Sequence, residues 1–199
     1  MTEPSIADVK QVLLGYLNTA RRALLWKLDG LSDYDVRRPL TPTGTNLLGI
    51  VKHVASVEMG YFTEVFGLPC PAQFPWFDEG AEPNADLWAT PEESRDDICN
   101  LYRLSWEVSD RNIADLPIDA VGTVPWWPAE RQHPTLAHVL VHMIAETNRH
   151  AGHADIVREL VDGSTGWGEG NDLLASDDPE WWASYTGRLE DIARGFRPG

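Results

Sequence analysis

Hydrophobic positions in the first 30 residues recur every three to four residues, the spacing of one face of an α-helix. They are Val9, Val12, Leu13, Tyr16, Leu17, Ala20, Leu24 and Leu28. Ser5 followed by Asp8 has the form of a capping box, and Gly30 is a residue type that commonly ends a helix. The pattern therefore predicts a first helix over about 6–30.

Further helices are indicated by the same spacing together with end signals. Asn46 can cap the second helix and Gly67 can end it, while Thr90-Pro91-Glu92-Glu93 is a typical start for the third. The fourth lies between Pro134 and Gly163, and Asp178-Pro179-Glu180 begins a last one. The predicted ranges are about 46–66, 91–115, 134–162 and 179–195. No strand-like alternation or internal repeat is present, so we predict an all-α four-helix bundle with an additional C-terminal helix, forming one domain over 1–199.

Two long loops separate the predicted helices, at 67–90 and 117–133. Both are rich in proline and aromatic residues, and loops of this length in a compact domain are commonly functional. Their tryptophans are expected to form the apolar walls of a pocket. These are Trp76, Trp88, Trp126 and Trp127.

Composition and charge narrow the range of functions. The 199 residues carry a formal net charge of −15, which argues against nucleic-acid binding. No apolar run approaches the roughly 20 residues of a membrane span, and the N-terminus has no signal-peptide pattern. We therefore expect a soluble cytoplasmic protein. Cys70 and Cys99 form no CxxC pair and are expected to be plain thiols.

The stretch "HMIAETNRHAGH", residues 142–153, places a carboxylate among three imidazoles on the fourth helix. With His142 at zero and about 100° per residue, the apolar residues lie between about 60° and 180°. His150 then falls at about 80°, Glu146 at about 40° and His153 at about 20°, whereas His138 falls on the side of His142 away from the core. Glu146 and His150 thus point most nearly into the bundle, where a carboxylate is costly unless it is paired or bound to a cation.

A ligand from another helix would complete a metal site. His53 lies at the border of the apolar stripe of the second helix, and Glu58 lies deeper in it as an alternative. Two imidazoles and one carboxylate suit Zn(II) with a fourth position for water or substrate, and they also suit Ni, Fe or Mn. The spacing is neither HExxH nor the Glu-x-x-His of di-iron bundles. Structural hydrogen bonding or a surface ion pair is the alternative interpretation.

The segments "LLGIVKHVASVEMGYFTEVFG" and "HVLVHMIAETNRHAGHADIVREL" resemble the DinB superfamily. They are most similar to its actinobacterial branch of small proteins, which includes mycothiol-dependent S-transferases. The resemblance implies a four-helix bundle with a divalent metal on His53, Glu146 and His150. Glu146 departs from the all-His pattern of the superfamily and resembles the His, Glu and His zinc ligands of mycothiol-dependent maleylpyruvate isomerases.

The resemblance implies a metal-dependent S-transferase that activates mycothiol for attack on an electrophilic small molecule. His153 is then a candidate catalytic proton carrier, and Arg149, Trp126 and Trp127 are candidate residues for binding the thiol cosubstrate. Arg103 is a second candidate partner for a carboxylate. A metal-dependent hydrolase or isomerase and a non-catalytic dimeric stress-response bundle are the alternatives. The expected partners are a small-molecule thiol and an electrophile, without nucleic acid or membrane; a homodimer is possible, and the sequence does not decide the oligomeric state.

Overall fold

The computed structural model describes residues 6–170 and 174–198, and within these ranges the chain is helical. Ser5, part of the predicted capping box, lies outside the described residues. Four short 3-10 turns and one isolated bridge between Val121 and Thr135 accompany the helices. The α-helices are α1 Ile6–Trp26, α2 Asp33–Arg37, α3 Leu47–Phe62, α4 Arg95–Asp115, α5 Leu136–Asp162 and α6 Pro179–Arg194. The predicted fold class, an all-α bundle with an extra C-terminal helix, is confirmed.

The bundle consists of α1, α3, α4 and α5. Helix α3 packs against α4 and α5, and α1 packs against α5 and α4. The buried apolar side chains form two clusters, one around Leu48, Tyr102 and Ala154 and the other around Phe62 and Leu140. On α3 and α5, polar side chains lie between these clusters, and the candidate site is built from them.

A buried ion pair joins α1 to α3 between the two clusters. The Arg21 guanidinium donates to both carboxylate oxygens of Glu58, at 3.1 and 2.6 Å, and both side chains are fully buried. Arg21 also donates to Asp110 at 2.7 Å and to Asn18 at 2.6 Å. Burial lowers the pKa of Arg21, but the two carboxylates outweigh it and the net shift is upward. Glu58, which the sequence offered as an alternative metal ligand, is therefore already paired with the Arg21 guanidinium.

The predicted start of α4 at about 91 is wrong, because the helix begins at Arg95. Ser94 and Asp97 form a reciprocal capping box there. The Glu93 carboxylate, expected in the first turn, instead accepts the Thr90 N–H at 2.7 Å and the Lys52 ammonium at 2.9 Å. The Arg37 guanidinium of α2 also donates to the Glu93 carbonyl at 2.6 Å, so contacts with both α2 and α3 accompany the non-helical conformation of residues 91–94.

Two other helices end earlier than predicted. Helix α1 ends at Trp26, and a series of turns leads to Gly30, which has a positive φ of 75°. Helix α3 ends at Phe62, because Thr63 leaves helical geometry with φ −121° and ψ −81° before a 3-10 turn over Glu64–Phe66. Gly67 then takes the left-handed conformation. Gly30 and Gly67 thus follow the helices at the predicted positions, but the residues just before each glycine form turns and not α-helix.

Helix α5 closely follows its prediction. Thr135 caps its first turn and Gly163 ends it with a φ of 79°. Helix α6 begins with Asp178 as cap and Pro179 in its first turn, and none of its residues is buried. None of the helices in the described part of the chain combines the length and apolar character needed to cross a membrane. Cys70 and Cys99 are both free thiols, as predicted.

Candidate metal centre

Side chains from α3 and α5 converge on one point between the two apolar clusters. His53, Glu146 and His150 each offer a ligand atom, and these atoms lie within 4.8 Å of one another. The nearer oxygen of Glu146, Oε1, lies 3.0 Å from His150 Nε2 and 3.6 Å from His53 Nε2. The two imidazole centroids are 4.7 Å apart. The structure therefore brings together the three residues that the sequence analysis selected as metal ligands.

The protonation states of this cluster suit a divalent cation. Burial raises the pKa of the Glu146 carboxyl, but the charge and hydrogen bond of His150, with a contribution from His53, lower it overall. The pKa of His150 is lowered by burial and by neighbouring His53, against the attraction of Glu146. Ionised carboxylate and neutral imidazole are the forms that bind metal ions. The shifts at Glu146 and His150 thus favour the forms of these two side chains that a cation binds.

Asp86 orients the imidazole of His53 from the side facing away from Glu146. Its Oδ2 lies 2.6 Å from His53 Nδ1, which directs His53 Nε2 towards Glu146. A carboxylate on the second nitrogen of a metal-binding histidine fixes its tautomer and raises its basicity. Within residues 6–170 and 174–198, His150 has no equivalent support, since its Nδ1 is buried without a hydrogen-bond partner there.

The loop that carries Asp86 is fastened closely to α3. Asp86 lies in a 3-10 turn, Ala85–Leu87, and the Leu87 carbonyl accepts a hydrogen bond from the Asn46 side chain at 3.0 Å. A Cβ atom at Gly49 would overlap that same carbonyl, so only glycine permits this approach. The loop 67–90 therefore contributes to the site through a carboxylate that the sequence analysis did not identify.

Asp86→Ala is expected to lower the affinity for zinc about 10- to 100-fold, because His53 loses the partner that orients it. Competition of the purified variant with a chromophoric chelator measures this affinity. Asp78→Ala is the matched control, since Asp78 is exposed in the same loop. Equal zinc affinity in the Asp86 variant and the wild type would show that Asp86 does not support the site.

A cavity of about 610 Å³ opens beside Glu146. Its walls include Tyr61 from α3, Phe74 and Phe77 from the loop 67–90, and Trp126 from the loop 117–133. Both long loops thus supply aromatic walls, as expected, although the first supplies phenylalanines. Trp76 and Trp88, the tryptophans of the loop 67–90 that were expected to form the wall, are not among the lining residues. Trp76 instead packs on the Lys52 ammonium at 4.1 Å and donates to Ser56, and Trp88 is partly exposed.

The other predicted site residues occupy different positions around this cavity. Trp126 lines the cavity, and Trp127 donates its indole N–H to the Tyr61 hydroxyl at 2.9 Å. His153 is exposed, with its ring centroid 5.4 Å from that of His150. Arg149 is exposed and does not line the cavity. The structure therefore brings Trp126 into the cavity wall and Trp127 against Tyr61, places His153 beside a candidate ligand, and leaves Arg149 outside.

Two further residues singled out in the sequence have structural surroundings of their own. His142 lies in the cavity wall, and its ring is 5.0 Å from those of both Tyr61 and Trp127. Burial lowers the pKa of His142, against the attraction of Glu146. Arg103 is exposed on α4 and donates to Asn100 at 3.3 Å. Neither residue is among the three that converge at the candidate metal centre.

Comparison with known proteins assigns the bundle to a family. A family model described as mycothiol-S-transferase matches residues 12–163, which run from α1 to the glycine that ends α5. No curated protein matches the chain at a significant level. The matched range includes every residue that converges at the candidate metal centre and every residue that lines the cavity. The chain belongs to the mycothiol S-transferase family.

Proposed function

We propose that this protein is a metal-dependent transferase that joins mycothiol to an electrophilic small molecule. The observation that carries the proposal is the convergence of His53, Glu146 and His150 beside an aromatic-walled cavity. The family supports mycothiol as the thiol. The metal dependence and the substrate are our inferences from the site.

The donor set supports Zn(II) as our first assignment for the cation. Three protein donors, two imidazoles and one carboxylate, are the usual number for a catalytic zinc site, which keeps a further position for water or substrate. The same donors also accept Ni, Fe or Mn. A divalent cation bound there would lower the pKa of a coordinated thiol and so supply the thiolate that acts as nucleophile.

The protein's own contribution is positioning and exclusion of water. Asp86 holds His53, and His53 and His150 together would fix the point at which sulfur is bound. The aromatic wall would hold an apolar molecule beside that point. Of the described residues that line the cavity, none is lysine or arginine, and Glu64 and Glu146 are carboxylates. With Glu146 engaged by the cation, the described lining offers no lysine or arginine as a partner for a further carboxylate and the Glu64 side chain would repel one, which disfavours anionic thiols such as glutathione and suits an uncharged thiol glycoside.

Conjugation of mycothiol to monochlorobimane tests this function. We expect the zinc-loaded protein to form the fluorescent conjugate, the chelator-treated protein to lose this activity, and added zinc to restore it. Glutathione at the same concentration is the control thiol, and we expect slower conjugation with it. Equal rates for metal-loaded and metal-free protein, or no conjugation with either thiol, would refute the proposal.

A further inference from the structure

The hydroxyl group of Tyr61 is a hydrogen-bond donor whose proton has no acceptor in the described part of the chain. Its oxygen accepts the indole N–H of Trp127 at 2.9 Å and that of Trp126 at 3.3 Å. An indole nitrogen can only donate, so the two tryptophans occupy both lone pairs of the phenol oxygen. The remaining capacity of this hydroxyl is donation of its own proton.

This donor belongs to the wall of the cavity. Tyr61 lines it and is only 6% exposed, and Glu146 lines the same cavity. Tyr61 follows His53 by eight residues on α3, which corresponds to about 12 Å along the helix. Tyr61 and Glu146 therefore contribute to the wall of one cavity, and a small aromatic molecule bound there can contact both residues.

The remaining walls indicate what kind of molecule this would be. Val57, Phe74 and Phe77 offer apolar and aromatic surface, which favours an apolar body. The carboxylate of Glu64 disfavours a negative charge on this molecule, and the cavity wall, as far as the structure describes it, has no lysine or arginine to pair with one. A donor-only hydroxyl requires an acceptor on the ligand, because a buried polar hydrogen without a partner is costly.

We propose that the cavity binds an uncharged aromatic electrophile and that the Tyr61 hydroxyl donates a hydrogen bond to its carbonyl oxygen. This inference rests on the proposed function of the site and specifies its substrate class. It also makes Tyr61 a catalytic residue, since the hydroxyl would touch the reacting molecule at the atom where negative charge develops.

The chemistry is an addition to an α,β-unsaturated ketone. The thiolate sulfur bonds to the β-carbon, the double-bond electron pair shifts towards the α-carbon, and the carbonyl π pair moves onto oxygen to give an enolate. The Tyr61 hydroxyl stabilises that oxygen by hydrogen bonding. The α-carbon then takes up one proton, equivalent to the one that the thiol lost, so the sum is addition of S–H across the double bond without an oxidant. Donors aimed at such an oxygen contribute about 10²- to 10³-fold in rate.

A binding comparison tests the hydrogen bond without any turnover. Benzylacetone carries the ketone but no reactive double bond, and butylbenzene has a similar shape without the oxygen. We expect Tyr61→Phe to weaken benzylacetone binding about five- to tenfold by calorimetric titration, and to change butylbenzene binding by less than about twofold. Tyr16→Phe is the matched control, because Tyr16 is 65% exposed on α1. Equal weakening of both ligands, or of neither, would overturn the proposal.

A kinetic comparison tests the catalytic role of the same hydroxyl. With mycothiol as the thiol, we expect Tyr61→Phe to lower kcat/KM for benzylideneacetone about 10²-fold more than it lowers kcat/KM for benzyl chloride, since chloride displacement creates no enolate oxygen. If the wild type conjugates neither compound, the proposed function fails and the binding comparison still decides the role of Tyr61. If the wild type conjugates both and Tyr61→Phe slows both equally or neither, the proposal for Tyr61 fails and the transferase function stands.

Discussion

Replacing Glu146 with alanine is expected to lower zinc affinity at least about 10²-fold and to reduce mycothiol conjugation to background. Loss of an outer partner of a ligand already costs about 10- to 100-fold, and loss of a ligand should cost more. Glu146 Oε1 faces both His150 Nε2 at 3.0 Å and His53 Nε2 at 3.6 Å. Its carboxylate is the one acidic donor among the three, so the variant would present two imidazoles and no carboxylate to balance the charge of a cation.

Two measurements separate this loss from misfolding. Zinc should raise the melting temperature of the wild type, because a ligand that binds the folded state stabilises it, and it should leave that of Glu146→Ala unchanged. Glu159→Ala, an exposed glutamate further along α5, is the matched control and should respond to zinc as the wild type does. Wild-type zinc affinity in Glu146→Ala would show that the three side chains do not form a metal site.

The part of the site that lies on one helix was predictable from the sequence. Residues four apart on a helix face the same way, so Glu146 and His150 had to adjoin each other whatever the tertiary structure. Their relative burial also agrees with the predicted helix face, because the His150 side chain is 13% exposed and that of Glu146 is 27% exposed. His53 was a weaker prediction from spacing alone, because its contact depends on how α3 packs against α5, and the family resemblance supplied that packing.

The contributions of the loops could not be predicted, because a loop has no period that relates its residues to a helix. Asp86 is one of several acidic residues in 67–90, and its contact with His53 depends on the close approach of Leu87 to Gly49. The donor role of Tyr61 requires two indoles from the loop 117–133 to reach one phenol oxygen. Such convergence is a property of the folded chain.

The start of α4 illustrates a different limit. Two possible caps stand four residues apart, Thr90 with Glu93 and Ser94 with Asp97, and each has the local sequence of a capping box. The unused cap has tertiary partners: the Lys52 ammonium of α3 binds the Glu93 carboxylate at 2.9 Å, and the Arg37 guanidinium of α2 binds the Glu93 carbonyl at 2.6 Å. Local patterns thus predicted that a helix begins in this region, and tertiary contacts of Glu93 accompany the start that the folded chain uses.

Arg21→Met is expected to lower the free energy of unfolding by about 3–5 kcal/mol at pH 7, because it leaves the Glu58 carboxylate buried without its cation. Denaturation of metal-free protein in urea, followed by tryptophan fluorescence, measures the change. Arg22→Met is the matched control, since Arg22 is the exposed neighbour in sequence and should lose little. A loss no larger than that of the control would contradict the prediction.

The pH dependence of this loss identifies its cause. Burial raises the pKa of Glu58 even with Arg21 beside it, and removing Arg21, which lowers that pKa, should raise it further. When the pKa of a carboxyl is higher in the folded than in the unfolded protein, the folded state becomes less stable as pH rises. The loss begins near the unfolded-state pKa of about 4.3 and continues through the folded-state pKa. The loss of unfolding free energy in Arg21→Met relative to the wild type should therefore be smaller near pH 5 than at pH 7.

The double variant Arg21→Met/Glu58→Leu should recover most of the stability at pH 7, because an apolar pair replaces both charges. If Arg21→Met lost the same unfolding free energy at both pH values and the double variant were no more stable than Arg21→Met, lost packing of the long Arg21 side chain would be the cause.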